Sequence, residues 1–267
     1  MMNAKNLFLV LLNTITFILM LFVNYASNAH VFGDVTVAYI SHKYDTLFAP
    51  ANYAFIIWGA IFLLCAGFVI YQWILLKNDT QQYIHRTGLW FTLSNITNAA
   101  WVYCWINEQL GWCVILILIL LLSLIILTIK LKLELNDEPV RTIFFVWWPI
   151  TFYLGWIIAA TLACIASYLV YIGWPGFGIS PGTWTVIMIV IAFLIYLFLN
   201  QKRNMREAAI VGIWAFIAIA IRQWNHHLNI AVTAIISSII LTAVIAKHAY
   251  RNRYYSPFAK IKRGEWK

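Results

Sequence analysis

Eight runs of apolar residues, all but the short seventh long enough to cross a bilayer, dominate this chain of 267 residues. A helix needs about 20 consecutive apolar residues to span a hydrocarbon core of about 30 Å. The strands of a membrane barrel alternate over about ten residues, and the run Val114–Ile129 does not alternate. The sequence therefore predicts an all-α, polytopic transmembrane helix bundle, in which each helix satisfies its own backbone hydrogen bonds. The predicted spans are Leu7–Ala26, Tyr53–Leu76, Gly88–Ile106, Gly111–Leu133, Thr142–Tyr171, Trp184–Asn200, Ala208–Gln223 and Asn229–Tyr250.

Composition excludes the two other broad classes of chain. Hydrophobic residues make up 63% of the sequence and charged residues only 10%, against roughly 25% charged in an ordinary soluble domain. A soluble fold of this size cannot bury that much apolar surface. Disorder requires low hydrophobicity and high charge, so it is excluded as well.

The basic residues predict the orientation of the bundle. With the N-terminus in the cytoplasm and eight crossings, only Lys43 and Arg222 of the 18 lysines and arginines lie outside, as the positive-inside rule demands. Both termini are then cytoplasmic, and the net charge of +9 needs no nucleic acid to explain it. The basic tail 251–267 is expected to contact anionic lipid headgroups, with a partner-binding tail as the alternative.

The first apolar run and the cysteines both favour ordinary membrane helices. The apolar core Leu7–Val23 is longer than the 7–15 residues of a signal peptide, so an uncleaved first span is expected. All four cysteines fall inside predicted spans without metal-ligand spacing, and are expected to be free and buried. They are Cys65, Cys104, Cys113 and Cys164.

Acidic residues are assigned only to loops and tails, and their absence from the predicted spans argues against two kinds of membrane protein. Proton-coupled pumps keep ionisable groups within the bundle, and metal-dependent transferases need clustered acids. No lysine lies in mid-span to carry a retinal Schiff base. No catalytic or metal-binding residue is therefore predicted, and a binding protein is expected before an enzyme. The nine acids are Asp34, Asp45, Asp79, Glu108, Glu134, Asp137, Glu138, Glu207 and Glu265.

Aromatic and amide side chains share helix faces in two spans. Steps of three and four residues place side chains on one face. Such faces either pack helices together or line a pocket for a flat apolar ligand, and the spacing alone leaves both interpretations open. In the third span the residues are Asn95, Asn98, Trp101 and Trp105, and in the fifth Tyr153, Trp156 and Ala160, with the small Ala159 and Ala163 nearby.

These patterns resemble the TspO/MBR family of tryptophan-rich sensory proteins, which are related to the mitochondrial translocator protein. Its Asn-x-x-Trp-x-x-x-Phe motif is matched by Asn98, Trp101 and Trp105, with Trp in place of Phe. Its fifth-helix motif Tyr-x-x-Trp-x-x-Phe-Ala is matched with Ala159 in place of Phe, by Tyr153, Trp156 and Ala160. Its second-helix motif is matched in part by Pro50, Tyr53, Phe55, Trp58 and Phe62.

This sequence departs from the family motifs at several positions, and the resemblance covers only part of the chain. The second proline and the first tryptophan of the second-helix motif are absent, and Cys164 stands where the family has Asn. The resemblance covers roughly Leu7–Tyr171, and the last three spans have no counterpart in a five-helix family. The predicted organisation is a translocator-like core at 1–172, an appended three-helix unit at 173–250 and the basic tail at 251–267.

The resemblance implies a ligand cavity capped by the loop between the first two helices. The expected ligand is a hydrophobic small molecule such as a tetrapyrrole, which the protein would sense or transport. Tryptophan walls suit a porphyrin plane, and its propionates would need Lys43, Arg222 or the pair His226–His227. A homodimer is a further expected partner arrangement. The cavity residues carried over are Trp58, Asn98, Trp101, Trp105, Tyr153, Trp156 and Ala160.

Two other function classes remain open at this point. One is a membrane enzyme acting on a tetrapyrrole or lipid, and the other is a structural or assembly subunit.

The loop Ser27–Asn52 is predicted to pack on the bundle, because it carries too many apolar groups for an open linker. These are Val31, Phe32, Val35, Val37, Tyr39, Ile40, Leu47 and Phe48.

Overall fold

The computed structural model describes residues 4–77 and 81–266, and across this part of the chain it contains helices without any β-strand. The prediction of an all-α bundle is therefore confirmed. Asp79, predicted to lie in a loop, and Lys267, predicted to lie in the cytoplasmic tail, are outside the described residues.

The helices match the predicted spans closely and add three short elements, α2, α4 and α11. A 3₁₀ turn at Asn52–Ile56 precedes α3, and α7 contains a π-helical segment at Ile143–Trp147. The helices are α1 (Ala4–Asn28), α2 (Val37–Lys43), α3 (Ile57–Leu75), α4 (Gln82–Thr87), α5 (Trp90–Ile106), α6 (Leu110–Lys130), α7 (Val140–Tyr171), α8 (Pro181–Arg203), α9 (Arg206–Gln223), α10 (Leu228–Arg251) and α11 (Pro257–Lys262).

Six helical segments of the described chain are long and apolar enough to cross a membrane. They are α1, α3 with its preceding turn, α6, α7, α8 and α10. The chain is thus a multi-pass integral membrane protein. The other two predicted spans are helices as well, α5 with 17 residues and α9 with 18, and their crossing of the membrane stays a prediction.

The chain forms two compact units, each built from separate stretches of sequence. Unit 1 comprises residues 1–46, 66–131 and 160–174, and unit 2 comprises 47–65, 132–159 and 175–267. In unit 1, α5 packs against α1 and α6. In unit 2, α8, α9 and α10 pack against one another. The predicted division at residues 172 and 250 stays a prediction.

A ladder of amide and hydroxyl hydrogen bonds ties α1 to its neighbours in unit 1. Asn13 Nδ2 donates to Gln72 Oε1 at 2.9 Å, and Asn13 Oδ1 accepts from Thr92 Oγ1 at 2.7 Å. Toward the other end of α1, Asn24 Nδ2 donates to Asn98 Oδ1 at 2.8 Å. Polar contacts between membrane helices contribute about 0.6 kcal/mol each on average. The ladder therefore fixes which face of α5 meets α1.

Small residues allow close helix packing in unit 2. A Cβ added to Gly212 would lie 2.5 Å from the Tyr196 ring, and one added to Gly155 would lie 2.9 Å from the backbone of Ala208. Tyr196 is fully buried and its hydroxyl donates to the Gly155 carbonyl at 2.8 Å. The absence of these two side chains thus makes room for the tyrosine ring and for the contact between α7 and α9.

The end of the chain folds back onto residues 137–140 of unit 2. Lys260 is only 3% exposed, donates to the Glu138 carbonyl at 2.8 Å and forms an ion pair with Asp137. The backbone N–H of Val140 donates to the Glu265 carbonyl at 3.3 Å. At least one lysine of the basic tail is therefore bound to acidic and carbonyl groups of the protein itself.

The four cysteines are free, as the sequence predicts, and three of them are buried.

Candidate functional site

One face of α5 carries three of the predicted cavity residues in unit 1. The Trp101 and Trp105 rings stack with centroids 5.0 Å apart and planes 23° apart. One turn earlier, Asn98 is 1% exposed. The three- and four-residue steps of a helix produce this alignment, so the shared face predicted from the sequence is confirmed.

Polar atoms on this face lack hydrogen-bond partners within the described part of the chain. Asn98 uses Oδ1 for the bond from Asn24, and its buried Nδ2 has no partner. The buried indole Nε1 of Trp101 has none either, although it lies near the Cys164 thiol. A buried donor without a partner costs about 1–3 kcal/mol. Two such donors beside a stacked indole pair are therefore consistent with a ligand acceptor.

The loop 27–46 packs over this face, as predicted. Trp105 is 4% exposed, and its Nε1 donates to the Val37 carbonyl at 3.0 Å, which fixes the start of α2. The Phe32 and Tyr103 rings meet edge to face at 6.0 Å. Of the eight apolar loop residues only Val31, Phe32 and Tyr39 are exposed, while Ile40 and Phe48 are almost fully buried.

An ion pair and a tyrosine hold the end of α2 against the turn between α5 and α6. Lys43 Nζ lies 2.7 and 2.6 Å from the two oxygens of Glu108, and the Tyr44 hydroxyl donates to the same carboxylate. Hydrogen bonds from Lys43 and then Tyr44 lower the pKa of Glu108. The sequence offered Lys43 as a cation for an acidic ligand, but this charge is already compensated in the protein. Sequence reasoning missed Glu108 and Tyr44 as its partners.

A second aromatic cluster forms in unit 2. Trp58 meets Tyr153 at 5.9 Å and Trp156 at 6.3 Å, both edge to face, and Phe55 meets Trp156 at 6.1 Å. Tyr153 and Trp156 are 0% and 3% exposed. The spacing of the fifth predicted span thus places these rings on one side of α7. The Trp156 Nε1 is buried and has no hydrogen-bond partner within the described residues.

The predicted site residues therefore fall into two groups. Asn98, Trp101 and Trp105 belong to unit 1, as does the partly buried Ala160, while Trp58, Tyr153 and Trp156 belong to unit 2. Their convergence on one cavity stays a prediction.

Asn24 was missed by sequence reasoning, although α1 carries a signal for it. Asn6, Asn13 and Asn24 follow one another at steps of 7 and 11 residues, which are two and three helical turns. Such a polar line through an apolar helix marks the side that faces other helices.

A protein-family model described as TSPO-like protein matches residues 10–247. The match runs through α8, α9 and most of α10, so the expectation that the family resemblance ends at Tyr171 is wrong. The last three spans lacked recognisable aromatic motifs, which is why motif spacing alone could not extend the resemblance. The search of curated proteins and the search of solved structures found no match.

Proposed function

Because the chain belongs to the TSPO-like protein family, we propose that this integral membrane protein binds a flat hydrophobic small molecule of the tetrapyrrole class, for sensing or transport. The proposed contact surface is the Asn98, Trp101 and Trp105 face of α5, beneath the loop that carries α2. One observation carries the proposal: a stacked indole pair stands beside two buried donors that have no protein partner within the described residues. The rings would stack on the ligand plane, and the donors would orient it.

The chemistry of this face favours ring contacts over recognition of ligand carboxylates. Lys43 is paired with Glu108, so a propionate would have to displace a carboxylate already in place. The sequence-based expectation that Trp58, Tyr153, Trp156 and Ala160 complete the site is part of the same proposal.

Titration of the purified protein with protoporphyrin IX tests the aromatic half of the proposal. Binding should quench tryptophan fluorescence, and Trp101→Leu should weaken binding by about 1–3 kcal/mol, by analogy with the stacking of bases on aromatic side chains. The matched control is Trp112→Leu, since Trp112 is 61% exposed on α6. Equal affinities for both variants would contradict the proposed surface.

Substitution of Asn24 and of Asn98 tests whether the buried amide donor contributes to ligand binding. Asn24→Leu and Asn98→Leu both remove the hydrogen bond between α1 and α5, so both should lower stability by a similar amount, about 0.6 kcal/mol. Only Asn98→Leu also removes the free Nδ2, so only this variant should weaken porphyrin binding. If the two variants bind equally well, Asn98 acts in packing alone.

A further inference from the structure

A cavity of about 340 Å³ lies in unit 2, and the aromatic cluster of Trp58, Tyr153 and Trp156 is not part of its lining. Its wall combines the segment 131–139, the start of α9, the end of α10 and part of the tail. Acids and bases line it together, among them Glu134, Asp137, Arg206, His248 and Lys260. On the topology predicted from the lysines and arginines, this is the cytoplasmic face.

Two carboxyl groups meet beside this cavity: Glu134, which is partly buried and lines it, and the buried Glu207, which lies next to the lining residue Arg206. Glu134 lies in the segment after α6, and Glu207 lies in the first turn of α9 with 8% of its surface exposed. The Glu134 backbone carbonyl accepts a hydrogen bond at 3.0 Å from Nδ2 of Asn204, three residues before Glu207, and the two carboxyl groups interact with each other. Each also has a buried oxygen without a partner within the described residues, Oε1 of Glu134 and Oε2 of Glu207. Two carboxylates cannot hydrogen-bond directly unless one of them carries a proton.

The surrounding charges do not neutralise both acids. Arg206 is the cation that acts on both, while His248 of α10 lines the same cavity and the Trp148 indole of α7 faces Glu207. Lys260 forms an ion pair with Asp137 and donates a hydrogen bond to the Glu138 carbonyl, and its Nζ lies 3.7 Å from Oε2 of Glu265. Among the described residues, Arg206 is thus a single positive charge for two acids, and one negative charge is left without a compensating cation. Burial and the neighbouring Glu207 together raise the pKa of Glu134 well above its ordinary value.

We propose that Glu134 and Glu207 form one proton-binding site, and that loss of the shared proton releases the segment 131–139 from α9. With the proton present, one hydroxyl bridges the two carboxyl groups and holds the segment down. Without it, two carboxylates repel each other in a buried place, and Arg206 can compensate only one. The same segment binds the tail through the ion pair of Asp137 with Lys260. Loss of the proton therefore also loosens the contact between this segment and the tail.

Hydrogen exchange of the backbone amides of 131–139 in the full-length, detergent-solubilised protein tests this site. After correction for the intrinsic pH dependence of exchange, the opening equilibrium constant should rise by up to about tenfold per pH unit while one proton is lost. Glu207→Gln supplies a permanent donor, so its opening constant should be independent of pH. A wild-type protein without the rise, or a Glu207→Gln variant that keeps it, would overturn the proposal.

Two controls separate the carboxyl pair from other titrating groups. Asp34→Asn changes an exposed acid of another loop and should keep the wild-type slope. His248→Gln should keep it too, and if this variant abolishes the slope the histidine is the proton site and the proposal fails. Should Glu207→Gln not fold, Glu134→Gln gives the same test. In infrared spectra of the wild type, the carbonyl stretch of a protonated carboxyl group should disappear as the pH is raised. The same band should be absent from the spectrum of Glu134→Gln. A wild-type protein without this band would overturn the proposal.

Discussion

The Glu108 side chain holds the end of α2 against the turn between α5 and α6. Its carboxylate accepts hydrogen bonds from Lys43 and Tyr44, and these bonds depress its pKa. A carboxyl group whose pKa is lower in the docked state stabilises docking above its ordinary pKa, and this stabilisation is lost as the pH falls through the depressed value. Glu108→Gln should therefore speed hydrogen exchange of residues 37–44 at neutral pH, and its difference from the wild type should vanish in acid.

Lys43→Gln is the reciprocal variant and should give the same result, whereas the exposed Asp34→Asn should exchange like the wild type. A difference between Glu108→Gln and wild type that persists in acid would mean that the ion pair is not what holds α2. The sequence could not reveal this contact, because Lys43 and Glu108 are 65 residues apart and meet only through the path of the loop. Spacing along one helix, in contrast, was enough to align Asn98, Trp101 and Trp105.

At the scale of helices, the sequence predicted the long elements well and the short ones not at all. The span predicted at Gly111–Leu133 is the helix Leu110–Lys130, and the one predicted at Thr142–Tyr171 is Val140–Tyr171. Long membrane helices can be recognised in the sequence, because each must be apolar over about 20 residues to cross the bilayer. The six- and seven-residue helices α2, α4 and α11 carry no such signal. They form where loop and tail side chains find partners in the fold.

Helix packing in unit 2 yields a prediction about two glycines. Gly212→Ala would put a methyl group 2.5 Å from the Tyr196 ring, and overpacking of this kind costs about 1–3 kcal/mol. The melting temperature in detergent should fall. The matched control is Gly59→Ala, because a Cβ there has nothing within 4 Å and alanine is the better helix former. A Gly212→Ala variant that melts no lower than Gly59→Ala would show that Tyr196 moves aside without cost.

For the whole molecule, side-chain contacts bear on how often the chain crosses the membrane. In unit 1, Lys43 binds Glu108, so the loop before α3 and the turn after α5 lie on the same side. An even number of crossings must separate them, so we expect α5 to cross the membrane as well as α3. In unit 2, Lys260 binds Asp137, and Asn204 contacts both the Glu134 carbonyl and His248. For the same reason we expect α9 to cross the membrane along with α10.

Labelling of single cysteines with a membrane-impermeant maleimide distinguishes eight spans from six. With eight, Asp34→Cys and Asn107→Cys should react from outside, while Asn136→Cys and Phe258→Cys should react only after permeabilisation, because the lysines and arginines retain their loops inside. All four positions are exposed, and the wild-type chain, whose cysteines lie within helices, is the background control. If α5 and α9 did not cross, Asn107 and Asn136 would exchange sides while Asp34 and Phe258 stayed where they were. That exchange would contradict the ion pairs of both units, because each would then have to join groups on opposite sides of a bilayer.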